Sequence, residues 1–444
     1  MSSGRVEQEP GSAEQEPGSA EQEPGSAKRH PVTAWLLRSA IDVTPLQFEH
    51  FRRIFLGNAV ATIGLQLTAV AVPVQVYALH RSTWEVGLVG AVGLVPLIVF
   101  GLWGGAIADA MDRRRLLLVS SVVLWLCTVG LLLEALTGPG TLGVLLVLTA
   151  VQSGAYAVAS SVRGAIIPRV LPGPAVPAGN TLEFTAMTLG GVIGPLIAVV
   201  VLARWSYAAA YGIDAALFSF ALYAALRLPV LEPIGEKVAA DWRAVTDGLA
   251  YIATQPVLAL SFAVDIAAMV LAMPKALFPA AALTTFGGGS AAGWLFAAIP
   301  IGSVIAGLSS GWIGRIHRQG VALVLAVVGW GLAVAASGLA GSLWLAVTLL
   351  ALAGAADLVS GVFRQTILQT YTPDAMRGRL QGVFMVVVAG GPRLGDLRAG
   401  GMASLVGVTA SWTAGGVACA VLVLLAFLSP SLRRYDSRDT LTEH

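Results

Sequence analysis

The sequence predicts an all-α membrane protein of twelve transmembrane helices in two six-helix pseudo-repeats, and three observations predict it. Composition is the first. Of 444 residues, 56% are hydrophobic and 12% are charged, about half the charge a water-soluble domain carries. Second, apolar runs recur between charged punctuation, each long enough to cross ~30 Å of hydrocarbon as a helix. Third, the basic residues sort to one side of those runs.

In chain order, residues 7–27 repeat EQEPGSA. This acidic, Pro- and Gly-rich stretch cannot bury enough apolar area to fold, so residues 1–30 are expected to be a disordered tail. The apolar runs follow at 54–79, 84–108, 116–137, 142–163, 180–203 and 207–228. Six more lie at 256–283, 289–314, 320–340, 342–363, 380–402 and 406–429. The first six form an N-terminal bundle over 45–228, and the second six a C-terminal bundle over 256–429. Between them, residues 229–255 are polar (EPIGEKVAADWRAVTDG) and predict a linker with a short surface helix. Residues 430–444 form a polar tail.

An even number of spans puts both termini on one side. Of the 27 Lys and Arg residues, only Arg81 and Arg204 fall on the opposite side, and Lys275, Arg393 and Arg398 fall within spans. The rest, Arg163 and Arg364 among them, are assigned to the terminus side. By the positive-inside rule the termini are cytoplasmic and the chain is a multi-pass plasma-membrane protein. The halves also echo each other. Gly101 and Gly105 correspond to Gly307 and Gly311, and Arg163 and Pro172 to Arg364 and Pro373. Repeated halves suggest a transporter with its site near the midplane between them.

Ionisable residues inside a membrane cost on the order of 3 kcal/mol each and mark function. Asp265 and Lys275 lie in span seven, about 15 Å apart along the axis, too far to pair, and both are expected to face a central cavity. Asp357 lies in span ten. Span eleven carries Arg393, Asp396 and Arg398, with Arg393 and Asp396 spaced to share a face and pair. Asp265, Asp357 or Asp396 is the expected acceptor of a coupling proton. Gln66 and Gln152 are candidate polar groups of the path, alongside Asn58, Gln75, Tyr156 and Glu183. Asp214 and Glu134 read as solvated residues near the outer ends.

Other function classes find no support. No G-x-x-x-x-G-K-[ST] loop for ATP appears, and no H-E-x-x-H. All five histidines lie in tails or loops, and Cys127 and Cys419 sit in apolar runs as packing residues. No cofactor, metal site or nucleic-acid partner is expected, and no heptads specify an oligomer, so a monomer is the default.

After the second span comes Gly105-Ala106-Ile107-Ala108-Asp109-Ala110-Met111-Asp112-Arg113-Arg114. It resembles the loop signature G-x-L-A-D-R-x-G-R-R of the major facilitator superfamily, with Ala110 where Arg is usual and Asp112 where Gly is usual. In span five, Gly190-Gly191-Val192-Ile193-Gly194-Pro195 resembles the G-x-x-x-G-P motif of the superfamily's antiporters. Ala71-Val72-Pro73-Val74-Gln75, Met273-Pro274-Lys275-Ala276-Leu277-Phe278-Pro279 and Gln369-Thr370-Tyr371-Thr372-Pro373 are similar to stretches of its enterobactin-exporter subgroup, which also holds drug:proton antiporters. The resemblance implies a major facilitator fold and a non-enzymatic secondary transporter that exports small hydrophobic or amphipathic molecules, siderophores or drugs, by proton antiport. Gly105, Asp109, Arg113, Arg114, Gly190, Gly194 and Pro195 would then serve gating. One departure bears on coupling. Where drug antiporters often carry Arg three residues before Gln152, this chain has Thr149. Import or facilitated passage of a different small solute on the same fold is the rival reading, since fold does not fix direction, and a non-transporting membrane sensor is a remoter one.

Overall fold

A computed structural model describes residues 42–101, 111–138, 140–229, 242–372, 376–429 and 433. The tail 1–30, Gly105 and Asp109 of the loop motif, the first part of the linker and almost all of 430–444 lie outside the described residues.

The first half comprises α1 (Glu49–His80), α2 (Thr83–Gly101), α3 (Arg113–Thr137), α4 (Leu142–Val170), α5 (Val176–Arg204) and α6 (Tyr207–Leu226). A linker helix, α7 (Trp242–Thr254), follows. The second half comprises α8 (Pro256–Ala272), α9 (Phe278–Thr284), α10 (Gly289–Leu308), α11 (Gln319–Gly338), α12 (Leu343–Tyr371), α13 (Arg377–Val406) and α14 (Val408–Ala426). Hydroxyls and a carboxylate start several of them. Ser82, Asp112, Ser206 and Ser342 each accept a hydrogen bond from the backbone N–H three residues on, relieving donors the first turn leaves unpaired.

Eleven described segments are long and apolar enough to cross a membrane. The remaining span, the eleventh in chain order, is α13, with 30 residues. Its length suffices, and Arg393, Asp396 and Arg398 make it more polar than the others. The seventh span is α8 and α9 together, interrupted at Met273–Leu277.

The packing repeats between halves. In the first, α1 packs on α5 and α6, and α3 on α4 and α6. In the second, the broken span packs on α13 and α14, and α11 on α12 and α14. Adding six to each span number turns one set into the other, the internal symmetry expected of a repeat transporter. The contacts between halves obey it too: α2 crosses α13, and α5 crosses α10.

Small residues make these crossings possible, as lipid-embedded helices require. A methyl on Gly87 would come within 2.8 Å of the Asp396 carbonyl oxygen, and one on Gly293 within 2.6 Å of the Pro195 carbonyl oxygen. Thr83 Oγ1 donates to the Gly400 carbonyl at 3.1 Å. Thr83, Gly293 and Gly400 all lie toward the end of the bundle where α1 finishes, so the halves are closed there. Among the described residues, the terminus end has no comparable packing of α4 or α5 against α12 or α13.

Two helices run further than the apolar pattern implied. Span ten, expected to end at 363, continues to Tyr371, and span four, expected to end at 163, continues to Val170. Arg364 and Arg163 are therefore inside helices rather than in connections. Arg364 lies against Asp265, and Arg163 against the ring of Tyr156.

Candidate functional site

A cavity of about 400 Å³ lies between the halves. Gln66, Gln152, Ser153 and Tyr156 line it from the first half; Lys275, Arg393 and Asp396 line it from the second. Its apolar wall includes Val70, Pro195, Phe296 and Pro300.

The break in span seven positions Lys275. Pro274 has no backbone N–H, so the carbonyl of Val270, four residues earlier, loses its helical partner. Arg398 replaces it. Its Nε donates to the Val270 carbonyl at 3.2 Å, and its Nη2 reaches the Leu271 carbonyl. Nη1 continues to the Ser411 carbonyl at 3.3 Å, tying α14 to the same point. A cation at a helix C-terminus is also favoured by the helix dipole. Arg398 thus holds the break open and does not line the cavity. Arg398→Met is expected to cost about 2–4 kcal/mol by leaving two carbonyls without donors, read as a lower thermal midpoint in detergent with substrate affinity kept in the folded fraction.

Beyond the break the chain turns through Lys275–Leu277, and the Ala276 N–H donates to Asp396 Oδ1 at 3.1 Å. Arg393 donates instead to the Gly90 carbonyl at 3.3 Å. Arg393 and Asp396 share the cavity face, as their spacing implies, and each bonds to a backbone group rather than to the other. A methyl on Gly90 would come within 2.7 Å of Asp396 Cβ, so α2 approaches this pair closely.

Asp265 lies elsewhere. It is 1% exposed, is absent from the cavity wall and forms an ion pair with Arg364, itself 7% exposed. Arg364 Nη2 also lies 3.6 Å from Asp357 Oδ1, whose side chain is 32% exposed. Lys275 lies within electrostatic range of both Asp357 and Asp396. The second half therefore carries a charge sequence of Asp265, Arg364, Asp357, Lys275, Asp396 and Arg393, running from the buried interior to the cavity. Sequence reasoning missed Arg364 as a member. Its correspondence with Arg163 across the repeat was the available signal. In the first half Arg163 lies 5.9 Å from the ring of Tyr156, the position equivalent to Asp357, and acts electrostatically on Glu183, which accepts from Asn58 Nδ2 at 2.6 Å.

The gating candidates divide. A methyl on Gly194 would lie 2.8 Å from the Ile63 carbonyl oxygen, and one on Gly190 would lie 3.3 Å from Thr62 Cβ, so both seat α5 on α1. Pro195 faces the cavity and the α10 crossing. Arg113 donates to the Ala165 carbonyl at 3.0 Å and Arg114 to the Leu226 carbonyl at 2.9 Å. Both therefore bind the ends of α4 and α6 within one half. Asp112, the departure from the loop signature, accepts from the Arg115 N–H at 3.0 Å and caps α3.

Two six-helix bundles repeated in the same direction, enclosing a cavity lined by charged and polar groups and closed at one end, define a membrane transporter of the major facilitator superfamily. The chain belongs to the family described as transmembrane secretion effector, which matches residues 40–444. It is similar to the enterobactin exporter EntS of Shigella boydii serotype 18, 30% identical over 409 residues covering 90% of this chain and 96% of that protein. EntS of Escherichia fergusonii matches with the same identity and coverage. Among solved structures, the nucleoside transporter NupG superposes with a TM-score of 0.71 at 14% identity, covering 86% of this chain and 98% of that one. A bacterial homologue of the human lysosomal transporter Spinster, in an inward-facing and unoccupied conformation, gives 0.69 at 15% identity over 89% and 98%. Those two likenesses establish the fold.

Proposed function

We propose that the protein is a secondary exporter of a siderophore or similar amphipathic small molecule, working by alternating access and driven by protons moving the opposite way. The observation that carries this reading is the central cavity, built from both halves, which pack closely where α1 finishes and, among the described residues, have no comparable packing at the terminus end. With the basic connections in the cytosol, the open end faces the cytoplasm, where an exporter collects its load. Similarity to the enterobactin exporters supports the substrate class. Lys275 and Arg393 offer cationic contacts for acidic or hydroxylated groups, and Phe296 and the two prolines offer apolar ones.

Coupling is assigned to the charge sequence of the second half. A proton on Asp357 or Asp396 would release Lys275 to meet the substrate, and its loss would draw Lys275 back. Thr149 cannot carry this role, because a hydroxyl bears no charge. The two bundles rock about the cavity, with the α2–α13 and α5–α10 crossings opening as the terminus end closes.

Inside-out vesicles from cells producing the protein test this directly. Enterobactin should accumulate when the lumen is acidified, and an uncoupler should abolish accumulation. Accumulation indifferent to the uncoupler would remove proton coupling, and accumulation only in right-side-out vesicles would reverse the direction.

A further inference from the structure

The first half contains an ionisable group that the charge sequence above does not include. Asp214 reads in sequence as a solvated residue near the outer end of its span. In the structure it is 1% exposed. It sits where α6 packs on α1 and α3. Gly64 makes the room: its Cα has no side chain, and a methyl there would lie 3.0 Å from the Asp214 Cα.

Only one of its two oxygens is bonded. Thr68 Oγ1 donates to Oδ2 at 2.6 Å and Thr128 Oγ1 at 3.3 Å. Oδ1 is buried without a hydrogen-bond partner. An aspartate retained only to tie three helices together would be bonded through both oxygens, since buried polar atoms rarely go unpaired. The surrounding helices offer no cation at this depth. Between Arg53 and His80, α1 has no charged residue, and between Arg115 and Glu134, α3 has none. On α6 itself the nearest titratable group is Tyr211, which donates to Gln75 Oε1 at 2.5 Å. Glu134, the remaining acid nearby, accepts from Gln75 Nε2 at 3.4 Å. On α3 the thiol of Cys127 is buried and free. The cations of α4 and α5 lie toward their ends, at Arg163, Arg169 and Arg204. A lone carboxylate in such surroundings is costly, and a neutral carboxylic acid is not.

The site is also connected to the cavity. Thr68 and Gln152 both line its wall. Thr68 bonds Asp214 directly. Gln152 Nε2 donates to Thr128 Oγ1 at 3.5 Å, and Thr128 bonds Asp214.

We infer that Asp214 is a second proton-binding site, in the N-terminal half, which exchanges its proton with the central cavity through the hydroxyl of Thr68, with Thr128 as a second hydroxyl donor to the same oxygen. The exchange makes and breaks only O–H bonds: carboxylate plus one proton gives the neutral acid, and the Thr68 hydroxyl takes a proton on the cavity side as it gives one to Asp214. The inference rests on the antiport reading for its part in transport, and adds a proton carried by the half that lacks the Lys275 charge sequence.

Infrared difference spectroscopy of the full chain in liposomes tests it. The wild-type protein should show a protonated-carboxyl band that is lost as pH is raised and is missing from Asp214→Asn but retained in Asp396→Asn. Thr128→Val, which keeps the carboxyl and the volume, should shift that band's frequency. A band unchanged in Asp214→Asn, a band that persists at every pH, or a band displaced by sodium at constant pH would overturn the proposal. In vesicles carrying a gradient of about one pH unit, each coupled proton multiplies accumulation roughly tenfold. Asp214→Asn should therefore lower enterobactin accumulation about tenfold while leaving enterobactin counterflow intact. Wild-type vesicles indifferent to the gradient, with the titrating Asp214 band present, would remove antiport and leave the proton site standing.

Discussion

Asp265→Asn is expected to destabilise the protein by about 3–5 kcal/mol, the usual result of stripping one partner from a buried ion pair. Asp265 and Arg364 are both almost inaccessible, so the remaining guanidinium would have only the more exposed Asp357, at 3.6 Å, to balance it. Arg364→Gln should cost a similar amount, leaving Asp265 bare. The double variant Asp265→Asn with Arg364→Gln removes both charges and should recover much of the loss, because replacing the whole of a buried pair is often close to neutral. Thermal midpoints in detergent for the four proteins of this cycle give the coupling. Additive losses would mean that the pair is not the unit described. The pair spans α8 and α12, so the double variant should regain stability without regaining full transport.

Lys275→Met has the larger effect on transport. Its ammonium is the cation on the cavity wall within range of both Asp357 and Asp396. Losing a hydrogen bond to a charged group costs roughly 1.5–3 kcal/mol, so kcat/KM for export should fall about tenfold to a hundredfold. Methionine preserves length and apolar contact, and the turn at Lys275–Leu277 is held by backbone and by Arg398. The thermal midpoint should therefore stay close to that of the wild-type protein. Lys275→Arg keeps the charge and should retain part of the activity. Export by Lys275→Met at the wild-type rate would exclude Lys275 from the path.

The architecture was legible because lipid imposes it. A spanning segment must be long and apolar, and the sequence shows such segments, though charged residues such as Arg163 and Arg364 set their ends too early. The cavity residues Lys275, Arg393 and Asp396 were legible for the same reason, as charges standing where charge is expensive. What the sequence hid was pairing across distance. Arg364 reads as the cytoplasmic edge of span ten because a basic residue normally ends an apolar run, and its partner Asp265 is 99 positions away. Asp265 then reads as a cavity residue when it is a buried one. Asp214 reads as solvated because it sits early in its helix, and only the tertiary packing of Gly64, Thr68 and Thr128 around it reveals burial. Arg398 reads as a path residue because nothing local says that Pro274 has left a carbonyl for it to fill.

Alternating access about the cavity is the claim on which the functional account stands, and paired spin-label distances test it. With Cys127 and Cys419 replaced by Ala, one variant carries Thr181→Cys and Thr370→Cys, spanning the two halves at the terminus end. A second carries Trp205→Cys and Thr285→Cys, spanning them at the far end. All four positions are exposed. Across a pH titration with enterobactin present, the first distance should shorten as the second lengthens, in the same pH range. Distances that change together, or a far-end pair that never separates, would contradict the account.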